Sequence, residues 1–206
     1  MVKSKITDIV PDAVIYHNGA IVTAGDEIIA REGIEYKTVK KILSRACETL
    51  NDLNISVEIN DVLYANFDVS IAWAGAVAVM ENFDGLPHFD ADKIIFATAD
   101  KKIIGEIENL LPENLYTAVS ENFLCMVMNK NAKKEIGVKR VAEHFDFVND
   151  EIVSFGDDYN DVGMIGACGT GVAVENAIAE AKNAAKHVCG SNENDGVAKW
   201  IEENIL

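Results

Sequence analysis

The sequence predicts an α/β protein: a doubly wound parallel sheet interrupted by an inserted α/β unit. Three observations carry this. Along the C-terminal half, short apolar runs alternate with amphipathic helical patterns, and that alternation builds parallel sheets covered by helices. A hairpin signal near the N-terminus is separated from that half by a long stretch of mixed helices and strands. Finally, the acidic run Gly156-Asp157-Asp158-Tyr159-Asn160-Asp161 stands between an apolar strand and a helical pattern. This is the carboxyl end of a parallel strand, where open α/β sheets bind ligands.

In chain order, Ala13–Tyr16 reads as a short buried strand, closed by His17-Asn18-Gly19-Ala20. Asn18-Gly19 is a strong turn signal, and residues 21–23 return as a second strand. Residues 26–32 are polar and read as a crossing into a new unit. From Val39, the apolar positions Ile42, Leu43, Ala46, Leu50 and Leu53 predict an amphipathic helix. Residues 56–68 alternate loosely, as one or two strands would. The 70–83 stretch, with Ile71, Trp73, Ala74 and the apolar 76–80 run, fits a helix or a strand, ended at Gly85 and Pro87.

Residues 93–97 predict another strand. Ile103, Ile104, Ile107, Leu110 and Leu111 then share one face of a helix that Pro112 stops. Residues 115–119 and 123–127 read as two further strands. The inserted unit therefore spans residues 25–127, and the core is formed by 1–24 and 128–206. In the core's second part, Val138, Val141, Ala142 and Phe145 mark a helix preceded by Lys133 and Lys134. Next come the strand at 152–155, the acidic turn, and a helix beginning at Val162 and Ile165. Strands at 171–174 and 186–189 flank a helix carrying Ala177, Ile178, Ala181 and Ala184, and a last helix carries Val197, Trp200 and Ile201.

A net charge of −16 over 206 residues argues against nucleic-acid or anionic-membrane partners, whose phosphates it would repel. No segment has the length and apolarity of a signal peptide or a membrane span. Cys47, Cys125, Cys168 and Cys189 are far apart, without a Cys-x-x-Cys pair, and each lies in or beside an apolar run. Buried, reduced thiols in a cytoplasmic protein are expected. The four histidines are equally scattered and offer no zinc spacing.

The chemistry concentrates in the acidic turn. Three carboxylates and an amide within five positions suit a hard cation such as Mg²⁺, which takes a few carboxylates and shares a substrate's phosphate oxygens. The same residues would also serve as a plain helix cap.

Four segments together resemble one family. Gly156-Asp157-Asp158-Tyr159-Asn160-Asp161-Val162-Gly163-Met164 is similar to the fourth motif, G-D-x-x-N-D-x-x-M, of the haloacid dehalogenase (HAD) superfamily. Gly171-Val172-Ala173-Val174-Glu175-Asn176-Ala177 and Asn194-Asp195-Gly196-Val197 resemble segments of its Cof-like sugar phosphatases. Tyr16-His17-Asn18-Gly19-Ala20 resembles the N-G-A segment that precedes their inserted cap. The resemblance covers essentially the whole chain. It implies a partial Rossmann-like core with an α/β cap, and a Mg²⁺-dependent phosphatase of small phosphorylated metabolites such as sugar phosphates.

By that resemblance Asp157 ligates Mg²⁺, and Asp161 supports the ion or holds the phosphate-binding lysine. Asn160 hydrogen-bonds the phosphate or leaving group, and Asp158, at a variable position, acts as a cap or in support. The lysine falls at Lys134, in register with Val138 and Val141. Glu135 stands where the family has glycine, so Lys133 stays open as the alternative. A lysine there neutralises the transferring phosphoryl group as a point charge.

One element of the family is missing. Its nucleophilic aspartate and acid–base aspartate form a D-x-D that ends an apolar strand upstream of N-G-A, and residues 3–8 contain no such motif. Asp90-Ala91-Asp92 precedes a strand instead of ending one and reads as a turn, and Thr98 belongs to a cap element. The chain is therefore expected to be a truncated phosphatase, inactive alone. The alternative is a non-catalytic remnant that binds a phosphorylated ligand or a partner. Without the nucleophile strand the Asp157 strand has an open edge. The expectation is a homodimer or a complementing N-terminal segment that covers it.

Overall fold

The structure is a computed structural model that describes residues 10–50, 53–71, 73, 75–80, 82–120 and 123–206. Ala74 and the 3–8 stretch lie outside the described residues. The chain divides into two compact units, one holding Glu32–Ala132 and the other Asp12–Arg31 with Lys133–Leu206.

Strands β1 (Ala13–Tyr16) and β2 (Ile21–Ala24) form the expected antiparallel hairpin, with Tyr16 opposite Ile21. His17, Asn18 and Gly19 make the turn between them at φ 49°, 58° and 106°. Residues 26–32 are not a polar crossing, which corrects the sequence expectation: Glu27–Arg31 is a third strand, β3, antiparallel to β2. Gly25 (φ 56°) and Asp26 close the turn. Ile28 is exposed, so β3 lacks the in–out alternation by which a strand is recognised.

In the inserted unit, α1 (Tyr36–Thr49) buries Val39, Ile42, Leu43 and Ala46. Strands β4 (Ile55–Ile59) and β5 (Val62–Ala65) are joined by Asn60 and Asp61, both left-handed at φ 52° and 62°, as a two-residue hairpin of type I′ requires. The described residues of the 70–83 stretch form neither a long helix nor a long strand. They hold a 3-10 turn at Val69–Ile71 and the two-residue strand β6 (Val79–Met80), with Gly75 at φ 81° between them.

Strand β7 (Lys93–Phe96), helix α2 (Lys101–Glu108), and strands β8 (Leu115–Ser120) and β9 (Leu124–Asn129) complete a mixed sheet of order β6-β5-β4-β7-β9-β8. One face of that sheet sends Ile55, Val57, Ile94, Phe96 and Val127 into a core with Ile42 and Leu43 of α1 and Ile107 of α2. Asp90 accepts from the N–H of Tyr36 at the start of α1 (3.2 Å), and Asp92 from the N–H of Asn60 in the β4–β5 turn (2.9 Å).

In the second unit α3 (Lys134–Phe145) packs on the β1–β3 hairpins. Strands β10 (Val153–Gly156), β11 (Thr170–Val174) and β12 (His187–Cys189) form a parallel sheet in that order. Helices α4 (Val162–Ala167), α5 (Ala179–Ala184) and α6 (Gly196–Asn204) alternate with them. Successive residues of a strand face opposite sides. Ser154 meets α4, its hydroxyl 3.5 Å from the Met164 carbonyl, while the ring of Phe155 packs edge-on against Trp200 of α6 at 5.4 Å. Helices therefore cover both faces, the doubly wound arrangement expected. The core is Ile165, Val172, Ala173, Val174 and Ala181.

Cys125, Cys168 and Cys189 are buried, whereas Cys47 is exposed on the outer face of α1, which corrects the expectation that all four thiols are interior. No helix among the described residues is long and apolar enough to cross a membrane.

Candidate metal and phosphate site

Strand β10 ends at Gly156, and the chain then makes a 3-10 turn over Tyr159–Asp161 into α4. The sharpness of this turn depends on Gly156: a Cβ there would lie 2.5 Å from the Cβ of Asp161. Asp161 folds back over the strand end and is almost completely buried. Its Oδ2 accepts from the N–H groups of Asp157 (3.0 Å) and Asp158 (3.2 Å). Its Oδ1 receives the Lys134 ammonium at 2.5 Å. Burial pushes the Asp161 carboxyl up, but the Lys134 ammonium and the two N–H donors outweigh it and hold the group below the usual carboxylate range. Asp161 is thus the residue that ties lysine and acidic loop together.

Asp157 is different. Its side chain is exposed, and its carboxyl is raised by partial desolvation and by the neighbouring Asp161 and Asp158 carboxylates, against the pull of Lys134. A carboxylate crowded by like charge gains from a cation beside it. Asp158 caps the 3-10 turn, accepting from the Tyr159 N–H at 2.8 Å. Oxygen donors of Asp157 and the surrounding acidic charge fit a hard divalent ion.

Lys134 is the first residue of α3, and its position is set from the β1–β2 turn. Gly19, at φ 106°, lies against the Lys133 backbone so closely that a Cβ would come within 2.4 Å of the Lys133 carbonyl oxygen. Lys134 makes the ion pair with Asp161. Asn160 donates from Nδ2 to Oδ1 of Asn18 at 3.0 Å.

Lys134, Asp157, Asn160 and Asp161 thus come together at the carboxyl end of β10. Two partners went unrecognised in the sequence. Asn18 read only as a turn residue, although it lies in the N-G-A segment. Asn176 lay in a motif segment without a role. Its Oδ1 accepts from Ser191 Oγ (3.1 Å) and the Asn192 N–H (3.3 Å), and its amide donates to Asn192 Oδ1 (2.9 Å). With the Ile178 N–H donating to the Asp157 carbonyl at 2.9 Å, these bonds lace together the segments that follow the three parallel strands.

Residues 2–201 match the family model described as haloacid dehalogenase-like hydrolase. A proposed phosphatase of Haemophilus influenzae is 36% identical over 126 residues, covering 60% of this chain and 48% of that protein. The matched stretch therefore spans about half of that relative's length. A solved phosphatase of the HAD superfamily from Bacteroides thetaiotaomicron superposes with a TM-score of 0.84 at 22% identity, covering 97% of this chain and 76% of that one. A HAD subclass IIB sugar phosphatase superposes with a TM-score of 0.81 at 22% identity, covering 93% and 75%. At these identities the structural likeness speaks for the fold.

Proposed function

The chain belongs to the haloacid dehalogenase-like hydrolase family, and from that premise we propose that it carries the Mg²⁺- and phosphate-binding half of a phosphomonoesterase for small phosphorylated metabolites such as sugar phosphates. The single observation that carries this reading is the Lys134–Asp161 ion pair at 2.5 Å beside the exposed Asp157 carboxylate. The sugar-phosphate class follows the name of a neighbour of the same fold, a sugar phosphatase.

In this reading Asp157 holds Mg²⁺ and Asp161 supports it through the loop whose N–H groups it binds. The ion, when bound, draws off negative charge from the phosphoryl oxygens. Lys134 places its ammonium where a phosphate oxygen can meet it, and Asp161 keeps that ammonium in one position, so little reorganisation is needed as charge develops. Asn160, oriented by Asn18, turns its amide to the phosphate or the leaving group.

Phosphoryl transfer in this family needs a nucleophilic aspartate and an acid–base aspartate. We assign both to a strand outside residues 10–206, lying along the edge of β10. Among the described residues β10 pairs only with β11 and β1 only with β2, which supports a complementing segment there. By themselves these 206 residues bind ligand without turnover. Three buried free thiols and the acidic surface suit a cytoplasmic setting.

The test is a panel of hexose and pentose phosphates assayed with the 206-residue chain in Mg²⁺, together with phosphate binding followed by calorimetry. The expected result is phosphate binding that requires Mg²⁺ and is lost in Lys134→Ala, with no hydrolysis. Hydrolysis by the chain alone would overturn the assignment of the nucleophile. Phosphate binding indifferent to Lys134 would overturn the site.

A further inference from the structure

The two edges of the six-stranded sheet are built very differently. At one edge β6 is only two residues long, one of the usual ways in which an edge is kept from pairing. At the other, β8 is six residues, Leu115–Ser120, and contains no charged residue and no proline. Its register with β9 runs unbroken from Leu115–Asn129 to Ser120–Leu124, without a bulge. Within β8 itself, charge, proline and bulge are all absent.

The direction of its free groups follows from the ladder. The Lys130 N–H donates to the Asn114 carbonyl at 2.9 Å. In an antiparallel pair such bonds alternate along the strand, so Tyr116, Ala118 and Ser120 turn their backbone groups toward β9. Leu115 turns the other way, and its N–H is taken by the Pro112 carbonyl at 3.1 Å. Thr117 and Val119 then present both N–H and C=O outward, and Val119 is 39% exposed.

We propose that β8 is a dimerisation edge, pairing antiparallel with β8 of a second copy about a two-fold axis at Ala118. A two-fold axis there sets Thr117 opposite the partner chain's Val119 position and Tyr116 opposite its Ser120 position, so the strand is complementary to itself. The four outward backbone groups of one copy meet the same four of the other. Charge also selects this occupant. Two chains of net charge −16 repel over most of their surfaces, and a long uncharged strand is where they can meet. The result is one continuous sheet across two copies, with an isologous interface.

Sedimentation equilibrium of the 206-residue chain should give twice its 22.4 kDa mass at micromolar concentration. Val119→Pro removes an outward N–H without touching the bonds to β9 and should return the chain to monomer mass. As a second measurement, Ala118→Cys in a Cys47→Ser background should form a disulfide-linked dimer on mild oxidation, because facing residues that turn their backbone groups away from each other sit within disulfide reach. A monomeric wild type, a Val119→Pro variant that stays dimeric, or an Ala118→Cys variant that does not cross-link would each overturn the proposal. Loss of Mg²⁺ or phosphate binding would leave these readouts unchanged, since β8 takes no part in that site.

Discussion

The Asn160 amide donates to Oδ1 of Asn18 at 3.0 Å, joining the acidic loop to a turn that lies 142 positions earlier in the chain. Asn18 does this from left-handed backbone, φ 58°, a conformation asparagine tolerates better than most residues. Asn18→Gly keeps the backbone and loses the side-chain bond, whereas Asn18→Ala loses both. Thermal unfolding should show Asn18→Gly less stable by about 1 kcal/mol and Asn18→Ala by about 1 kcal/mol more. Equal losses in the two variants would mean that the backbone conformation contributes nothing.

The Lys134–Asp161 pair sets a pH dependence. The folded Asp161 carboxyl lies below its ordinary value, so its contribution to stability is present above that ordinary value and disappears as pH falls through the folded one. Asp161→Asn should cost about 3 kcal/mol at pH 7, because it leaves the Lys134 ammonium without its partner in a largely buried site. In unfolding curves at pH 3 the gap between wild type and variant should shrink. A gap that stayed constant with pH would show that the loss is one of packing alone.

Close approach at two glycines can be tested by adding one methyl. Gly19→Ala forces a Cβ against the Lys133 carbonyl at 2.4 Å, and Gly156→Ala forces one against Asp161 at 2.5 Å. Neither neighbour is the free end of a flexible side chain. Each substitution should lower stability by about 2 kcal/mol or more and weaken phosphate binding, because each displaces one end of the Lys134–Asp161 pair. Wild-type phosphate affinity in both variants would separate these turns from the site.

How far the sequence was readable depended on how local the determinants were. The strand–acidic turn–helix of residues 152–165 was plain, because its apolar run, Gly156 and the carboxylates are contiguous. The β3 strand escaped because it exposes Ile28 and begins with Glu27, so it carries neither alternation nor a buried run. The 70–83 stretch was ambiguous because its alanines and valines satisfy both periods. Only Gly75 and a short pairing with β5 decide it. The register with Val138 and Val141 favoured Lys134 in the sequence, but its partner Asp161 lies 27 positions away, and the partner of Asn18 lies 142 positions away. Such contacts have no local signature.

The thiols offer an independent check on the packing. Cys125 is buried in the sheet, and desolvation, aided by the Glu108 charge, pushes its thiol up to about 12. Below pH 9 both folded and unfolded chains keep this proton. Between about 9 and about 12 only the folded chain keeps it, so alkali should favour unfolding over that window. At pH 8, a thiol reagent should modify Cys47 quickly in the native protein and the other three cysteines only after denaturation. Rapid native labelling of Cys125 would contradict the described core.

In the proposed site Asp157 holds a divalent cation at the end of β10. Calorimetric titration of Mg²⁺ into the wild type and into Asp157→Asn measures this. Saturable binding is expected in the wild type, weakened at least about tenfold, or about 1.4 kcal/mol, in the variant, with the fold retained by circular dichroism. Binding of the same strength in both proteins, or none in either, would contradict it.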